Sequence, residues 1–232
     1  MIFVTGDTHR TMDVKKLNME NFPEQNLLKR KDLVIIAGDF GGVWTGNEKD
    51  DAVLDLHENR NYTTLFVGGN HENYDALYAY PAEEWNGGKI HRVREHVIHL
   101  MNGQIFELEK GKFFIMGGAT SVDKMFRDPH ETWWPQEEPS EEEFAEAWDN
   151  LSKAGFKVDY IITHTCPEKV RKSMFKIHPG KGFVDYESGV EKFLDQVLDK
   201  VEYKAWYTGH IHIDREFPDY SMRVLYNSVV KL

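Results

Sequence analysis

The chain has 232 residues, 41% of them hydrophobic and 13% aromatic, an ordinary globular composition that supports one domain over 1–232 with a sizeable core. Its formal net charge of −11 argues against nonspecific binding to long nucleic acid or to an anionic membrane, while leaving a phosphate substrate open. No apolar run approaches the roughly 20 residues of a membrane helix, and the lone Cys166 excludes an internal disulfide and fits a reducing compartment, so a cytoplasmic location is expected.

In chain order, the first signal is Ile2-Phe3-Val4-Thr5, which runs directly from the N-terminus into Gly6-Asp7-Thr8-His9 with no secretory leader in view. Leu33-Val34-Ile35-Ile36-Ala37 leads into Gly38-Asp39, and Leu65-Phe66-Val67 into Gly68-Gly69-Asn70-His71. Short β-branched and aromatic runs bounded by glycine read as buried strands. Between them, residues 47–59 place Ala52, Val53, Leu56 and His57 near helical spacing, and residues 73–79 suit a short helix. Strand–helix alternation of this kind implies mainly parallel pairing.

The middle reads differently. Residues 97–100, 104–108 and 112–116 look like consecutive strands joined at Asn102-Gly103 and Lys110-Gly111, which predicts antiparallel hairpins and more than one sheet. Ser140 with Glu143 forms an S-x-x-E capping box, Phe144, Ala147, Trp148 and Leu151 follow at helical spacing, and Gly155 is a stop. Residues 160–163 lead into His164. A second long helix is expected over 186–201, with Val190, Phe193, Leu194, Val197, Leu198 and Val201 as its buried stripe. The run 205–208 leads into Gly209-His210-Ile211-His212, and 216–218 and 224–227 read as two closing strands.

Five strand-like runs thus end in residues that bind metals, and side chains placed just past several strand ends converge on one crevice at the edge of a sheet. Two Asp, one Asn and five His suit a hard or borderline divalent cation. Asp7 and His9 flank one residue. If that segment is extended, both side chains point the same way and reach one ion, and His210 and His212 repeat the spacing.

The series Asp7-x-His9, Gly38-Asp39, Gly69-Asn70-His71-Glu72, His164 and Gly209-His210-x-His212 resembles the calcineurin-like metallophosphoesterase family from residue 7 to residue 212. The resemblance implies an αββα fold, two mixed sheets sandwiched between helices, and a site with two divalent ions, manganese first and iron, zinc, nickel or cobalt also compatible. It implies that Asp7, His9 and His212 hold one ion and Asn70, His164 and His210 the other. Asp39 would bridge both, and His71 would donate a proton or hydrogen bond to the leaving oxygen. The implied activity is hydrolysis of a phosphomonoester or phosphodiester, small molecule or nucleotide, by a metal-activated water. The G-D-x-x-D-R-G signature common in members that dephosphorylate phosphoproteins is absent, since Gly38-Asp39 is followed by Phe40-Gly41-Gly42-Val43-Trp44, which lowers the weight on phosphoprotein substrates.

A catalytically silent scaffold on the same fold would show eroded ligand positions, and all eight are occupied here. A metallo-β-lactamase-like enzyme would show an H-x-H-x-D-H run, which is lacking. The long stretch 117–139 carries Ser121, Asp123, Lys124, Arg127, Asp128, His130, Trp133 and Trp134 and reads either as a binding loop or as a solvated loop pinned by tryptophans. Arg127 is its best phosphate-binding candidate, and a tryptophan there could stack on a base or aryl group. Arg10 reads as a surface arginine. His57, His91, His96, His99 and His178 read as core or surface residues, and Cys166 as a small buried residue near the site.

Overall fold

The structure is a computed structural model that describes residues 1–177 and 186–232, and side chains for 1–174 and 186–232; His178 lies outside the described residues. One sheet is built on the parallel strands β1 (Ile2–Thr5), β2 (Leu33–Ile36) and β3 (Thr63–Val67). The hairpin of β4 (Ala82–Trp85) and β5 (Gly88–Arg94) forms one edge, and β6 (Val97–Leu100) joins it to β3. The second sheet contains β7 (Ile105–Leu108), β8 (Gly111–Met116), β9 (Tyr160–Thr163), β10 (Ala205–Thr208), β11 (Arg215–Phe217) and β12 (Met222–Val224). Finally β13 (Val229–Lys231) returns to pair antiparallel with β1. The orders are β13-β1-β2-β3-β6-β5-β4 and β11-β12-β10-β9-β8-β7. Both sheets are parallel at the centre and antiparallel at their edges.

Burial explains why the central strands read as unbroken apolar runs: both faces are covered. Between the sheets, Ile2, Val4, Ile35, Leu65 and Ile98 meet Phe106, Phe113, Ile115 and Ile162. Behind the first sheet, Phe3, Val34, Ile36 and Phe66 pack on Leu17, Phe22, Tyr62 and on Leu54 of α1 (Asp51–Glu58). Near that face a short helix, α2 (Tyr74–Leu77), follows β3. Behind the second sheet, Phe114, Ile161 and the fully buried Trp206 meet three helices. These are α3 (Glu141–Lys153) through Ala147 and Leu151, α4 (Glu168–Ile177) through Val170, and α5 (Gly189–Lys200) through Val190, Leu194 and Val197. The layers are therefore helix, sheet, sheet, helix.

Several expectations need correction. β6 and β7 do not form a hairpin; Asn102-Gly103 carries the chain from one sheet to the other, and only β7–β8 pair antiparallel as expected. The β4–β5 hairpin over Asn86-Gly87, both at positive φ (48° and 91°), was not anticipated although N-G is the strongest two-residue hairpin signal. In α1 the buried face is Val53, Leu54 and His57, while Leu56 is exposed. The helix expected over 186–201 starts at Gly189, because the Ser188 side chain accepts from Glu191 N–H and caps it there. The final run ends as a strand at Val224.

The capping box at α3 is present in both directions, Ser140 accepting from Glu143 N–H and Glu143 from Ser140 N–H. Ser140→Ala should therefore lower stability by about 1 kcal/mol with an unchanged denaturant m-value, read from urea unfolding.

Candidate metal centre

The carboxyl ends of β1, β2 and β3 in one sheet and of β9 and β10 in the other open onto the same crevice. Asp7 and His9, Asp39, Asn70 and His71, His164, and His210 and His212 all follow those ends. The side chains are not delivered by extended chain, as the D-x-H and H-x-H spacing had suggested. His9, Asp39, His210 and His212 sit at φ +42°, +47°, +64° and +54°. Left-handed backbone at four non-glycine residues costs of order 1–3 kcal/mol each and persists only where the surroundings impose it. Two glycines allow the turns to close on one another. A Cβ at Gly69 would lie 2.2 Å from Asp39 Oδ1, and one at Gly209 would lie 2.1 Å from Asp7 Oδ1.

Two groups of ligand-type atoms result, each within 4.8 Å mutually: Asp7, His9, Asp39 and His212, and Asp39, His164 and His210. Asp39 belongs to both. Its Oδ2 is 3.1 Å from His9 Nε2 and its Oδ1 3.3 Å from His164 Nε2. Asp7 Oδ2 lies 3.0 Å from His212 Nε2. Asn70 joins the second group, its Oδ1 3.1 Å from His164 Nε2. Carboxylate, imidazole and amide oxygen donors without a thiolate fit hard or borderline divalent ions, and the shared carboxylate fits a pair of them.

Buried partners fix the orientation of these donors. His164 Nδ1 donates to the Ala37 carbonyl at 2.8 Å, which leaves Nε2 to the cluster. His9 Nδ1 is 2.7 Å from Asp13 Oδ2, so its Nε2 likewise faces Asp39. The other oxygen of Asp13 accepts from Tyr226 OH at 3.0 Å, and the Tyr226 ring stacks on His212 with centroids 4.6 Å apart. One carboxylate and one phenol thus hold both histidines of the first group. On the far side Asn70 Nδ2 donates to Ser121 Oγ at 3.2 Å, and Ser121 donates to Glu137 Oε2 at 2.6 Å, which turns the amide oxygen inward. The Asp39 loop is held by Glu72, whose buried carboxylate accepts from Phe40 and Gly41 N–H. Lys16, also buried, donates to the carbonyls of Asp7 and Tyr226.

The charges are poised for a cation. Burial opposes ionisation of Asp39, but the neighbouring His164 overrides it and holds the carboxyl well below its usual range. Burial would push His164 down, yet Asp39 and Asp7 hold it up at about 9. His9 is likewise raised against burial by Asp39. His210, half-buried beside His164, is pushed down to about 3 by desolvation and by that neighbour. Without a metal, protons on imidazole balance the carboxylates.

A cavity of about 340 Å³ opens over this cluster, lined by Asp39, Asn70, His71, His210 and His212 together with residues 120–123, Arg127, Tyr186 and Ile211. His71 donates its backbone N–H to Asp39 Oδ1 at 2.8 Å, and its ring stands edge-on to His9 with centroids 5.3 Å apart. Its imidazole is pushed down by burial and by Arg127, against the pull of Asp39. Arg127 reaches the cavity while paired to Asp123 at 2.8 Å.

The tryptophans do not reach it. Trp134 is buried against Trp44 with its Nε1 on Asp75, and His130 binds the same carboxylate at 2.8 Å. Lys124 lies over Trp133. Arg10 is tied to Asp50 at 3.0 Å. His57 is buried against Thr64, and His91 and His99 pair through Nδ1 atoms at 3.0 Å. His96 sits at the surface with Glu58 and Glu95. Burial raises the Cys166 thiol, which suits a packing residue. Asp13 carried a signal in its i, i+4 spacing from His9; Tyr226, Glu137 and Lys16 carried none.

A calcineurin-like phosphoesterase family model matches residues 1–214. None of the curated proteins matches the chain. Among solved structures the chain is similar to a phosphopantetheinyl hydrolase from Mycobacterium tuberculosis at 17% identity, covering 97% of this chain and 87% of that one with a TM-score of 0.46.

Two outcomes follow from the geometry. Asp13→Asn should weaken manganese binding about 10- to 100-fold in calorimetric titration while leaving the far-ultraviolet spectrum unchanged; unaltered affinity would remove Asp13 from the site. His164, raised to about 9, is protonated at pH 7 in the metal-free protein and must be neutral to bind a metal. Manganese binding at pH 7 should therefore release a proton, seen as an enthalpy that varies with the buffer's ionisation enthalpy.

Proposed function

We propose that this chain, which belongs to the calcineurin-like phosphoesterase family, hydrolyses a phosphomonoester or phosphodiester on two divalent ions held by Asp7, His9, Asp39, Asn70, His164, His210 and His212. The observation that carries the reading is the carboxylate of Asp39, common to both ligand groups. Bound there, two cations would supply the Lewis acidity that activates water and offsets charge on phosphorus, manganese being the first choice and iron, zinc, nickel or cobalt compatible.

The chain's own groups do the rest. Asp39 sets the spacing, and Asp7 and Asn70 flank it from either side. His71 lies in the cavity wall beside Asp39 with its imidazole pushed towards the neutral form, in which its one N–H donates a hydrogen bond to the leaving oxygen as charge builds there, the proton that completes the alcohol coming from solvent. Arg127, which also lines the cavity, offers its guanidinium to a phosphate oxygen. The substrate we propose is a small phosphate ester or nucleotide, and the setting is the cytoplasm, in keeping with the single buried Cys166. No described helix is long and apolar enough to cross a membrane.

The test is hydrolysis of p-nitrophenyl phosphate and bis-p-nitrophenyl phosphate by metal-stripped protein with and without manganese. Metal-dependent turnover is expected, and its absence with manganese, nickel, cobalt, iron and zinc in turn would contradict the reading. His71→Ala should retain metal but lose about 100-fold or more in kcat, whereas Arg127→Ala should mainly raise KM. Loss of metal from His71→Ala would show the role is wrong.

A further inference from the structure

Among the described residues, the cavity lining outside the metal-ligand types leaves few unpaired polar side chains to read a substrate. Thr120 Oγ1 donates to Glu138. Ser121 Oγ donates to Glu137 and accepts from Asn70. Asp123 is spent on Arg127. Tyr186 gives its hydroxyl to Glu191 at 2.9 Å and one ring face to the Arg171 guanidinium, 4.0 Å from its centroid, so what it presents to the cavity is ring carbon. The remaining lining is Val122 and Ile211.

The same turn carries this apolar surface outward. Its two ends, Asp123 and Arg127, line the cavity, and between them a 3-10 turn, Lys124–Phe126, presents Met125 and Phe126 at 77% and 85% exposure. Val122, just before it, is 54% exposed. Scattered exposed apolar residues need no explanation, but three within five positions, continuous with a cavity over charged donors, form a patch. The stretch also carries Asp123, Lys124 and Arg127; Lys124 lies over the Trp133 ring, and Arg127, paired with Asp123, is the cation of this stretch that lines the cavity, where a phosphate would meet it. Among the described residues a sugar or glycerol moiety would lose water there and find few free donors or acceptors, whereas an apolar group would lose only unfavourable hydration.

Resting on the phosphoesterase reading, we infer that the alcohol portion of the substrate is apolar, an aryl group or alkyl chain seated on Val122, Tyr186 and Ile211 and reaching Met125 and Phe126. This narrows the substrate away from nucleotides and sugar phosphates. Phosphorus lies over Asp39 with one oxygen towards Arg127, and the apolar group leaves the cluster along the 122–126 turn.

The test is calorimetric binding of non-hydrolysable phosphonates to manganese-loaded protein: methyl-, phenyl-, octyl- and 2,3-dihydroxypropylphosphonate, each below its aggregation limit. Burial of a methylene is worth about fourfold in affinity, so phenyl or octyl should bind at least tenfold tighter than dihydroxypropyl despite partial exposure. Octyl ahead of phenyl indicates a chain that reaches Phe126, and phenyl ahead of octyl indicates an aryl group against Tyr186. Val122→Ser and Phe126→Ser alter exposed side chains, and together they should shrink the preference to about threefold or less. Equal or tighter binding of the dihydroxypropyl compound overturns the inference, as does a preference that survives both substitutions. Binding of methylphosphonate in those cases would leave the phosphoesterase reading standing, whereas failure of every phosphonate to bind, together with no hydrolysis under any metal, would remove both.

Discussion

Asp39 carries a negative charge at 1% exposure, on left-handed backbone, where the carboxyl edges of two sheets meet. Isolated, such a charge would be expensive enough to protonate or unfold the loop around it. Instead the chain surrounds it with imidazoles from both sheets, a backbone N–H from His71 and the Glu72-held turn behind it. The positions of His9 and His164 depend on this carboxylate, since each points Nε2 at a different one of its oxygens. So does the approach of Gly69, where any side chain would strike it. A sandwich of two sheets is the means of bringing those elements to one carboxylate.

That arrangement stores cost in the metal-free protein. Several non-glycine residues hold positive φ, buried carboxylates lie close together, and imidazoles keep protons they would release in water. Cations that bound only the folded chain would return this cost as stability, because binding energy at a site formed on folding is folding energy. The supports around the site are built to the same end. Asp13, Tyr226 and Glu137 lie outside the cavity lining, and with Ser121 they set which atom of His9, His212 and Asn70 faces inward.

Much of this was legible in the sequence, for physical reasons. Buried parallel strands are apolar on both faces, so the five runs stood out, and metal-binding residue types at their ends are too polar for a core to explain. Helix α3 was readable from stripe and cap, and α5 from its stripe, though not its start at Gly189. What could not be read was partnership. Nothing local tells that Val97–Leu100 and Ile105–Leu108 belong to different sheets, because a short polar link serves a hairpin and a crossing equally. The reach of Tyr226 to Asp13, 213 residues away in sequence, exists only in the folded chain. Even the correct expectation that Asp7 and His9 converge rested on a wrong local geometry: strand periodicity predicted it, and left-handed turns deliver it. The 117–139 loop divides along the same line. Arg127 carried a chemical signal and lies at the cavity, whereas the tryptophans that suggested stacking are used to pin the loop.

Whether one carboxylate organises two cations can be seen by manganese anomalous scattering from crystals of the metal-soaked protein. Two peaks about 3.5–4 Å apart are expected, one on each side of Asp39, the first against Asp7, His9 and His212 and the second against Asn70, His164 and His210. A single peak, or two peaks that do not share Asp39, would contradict that arrangement.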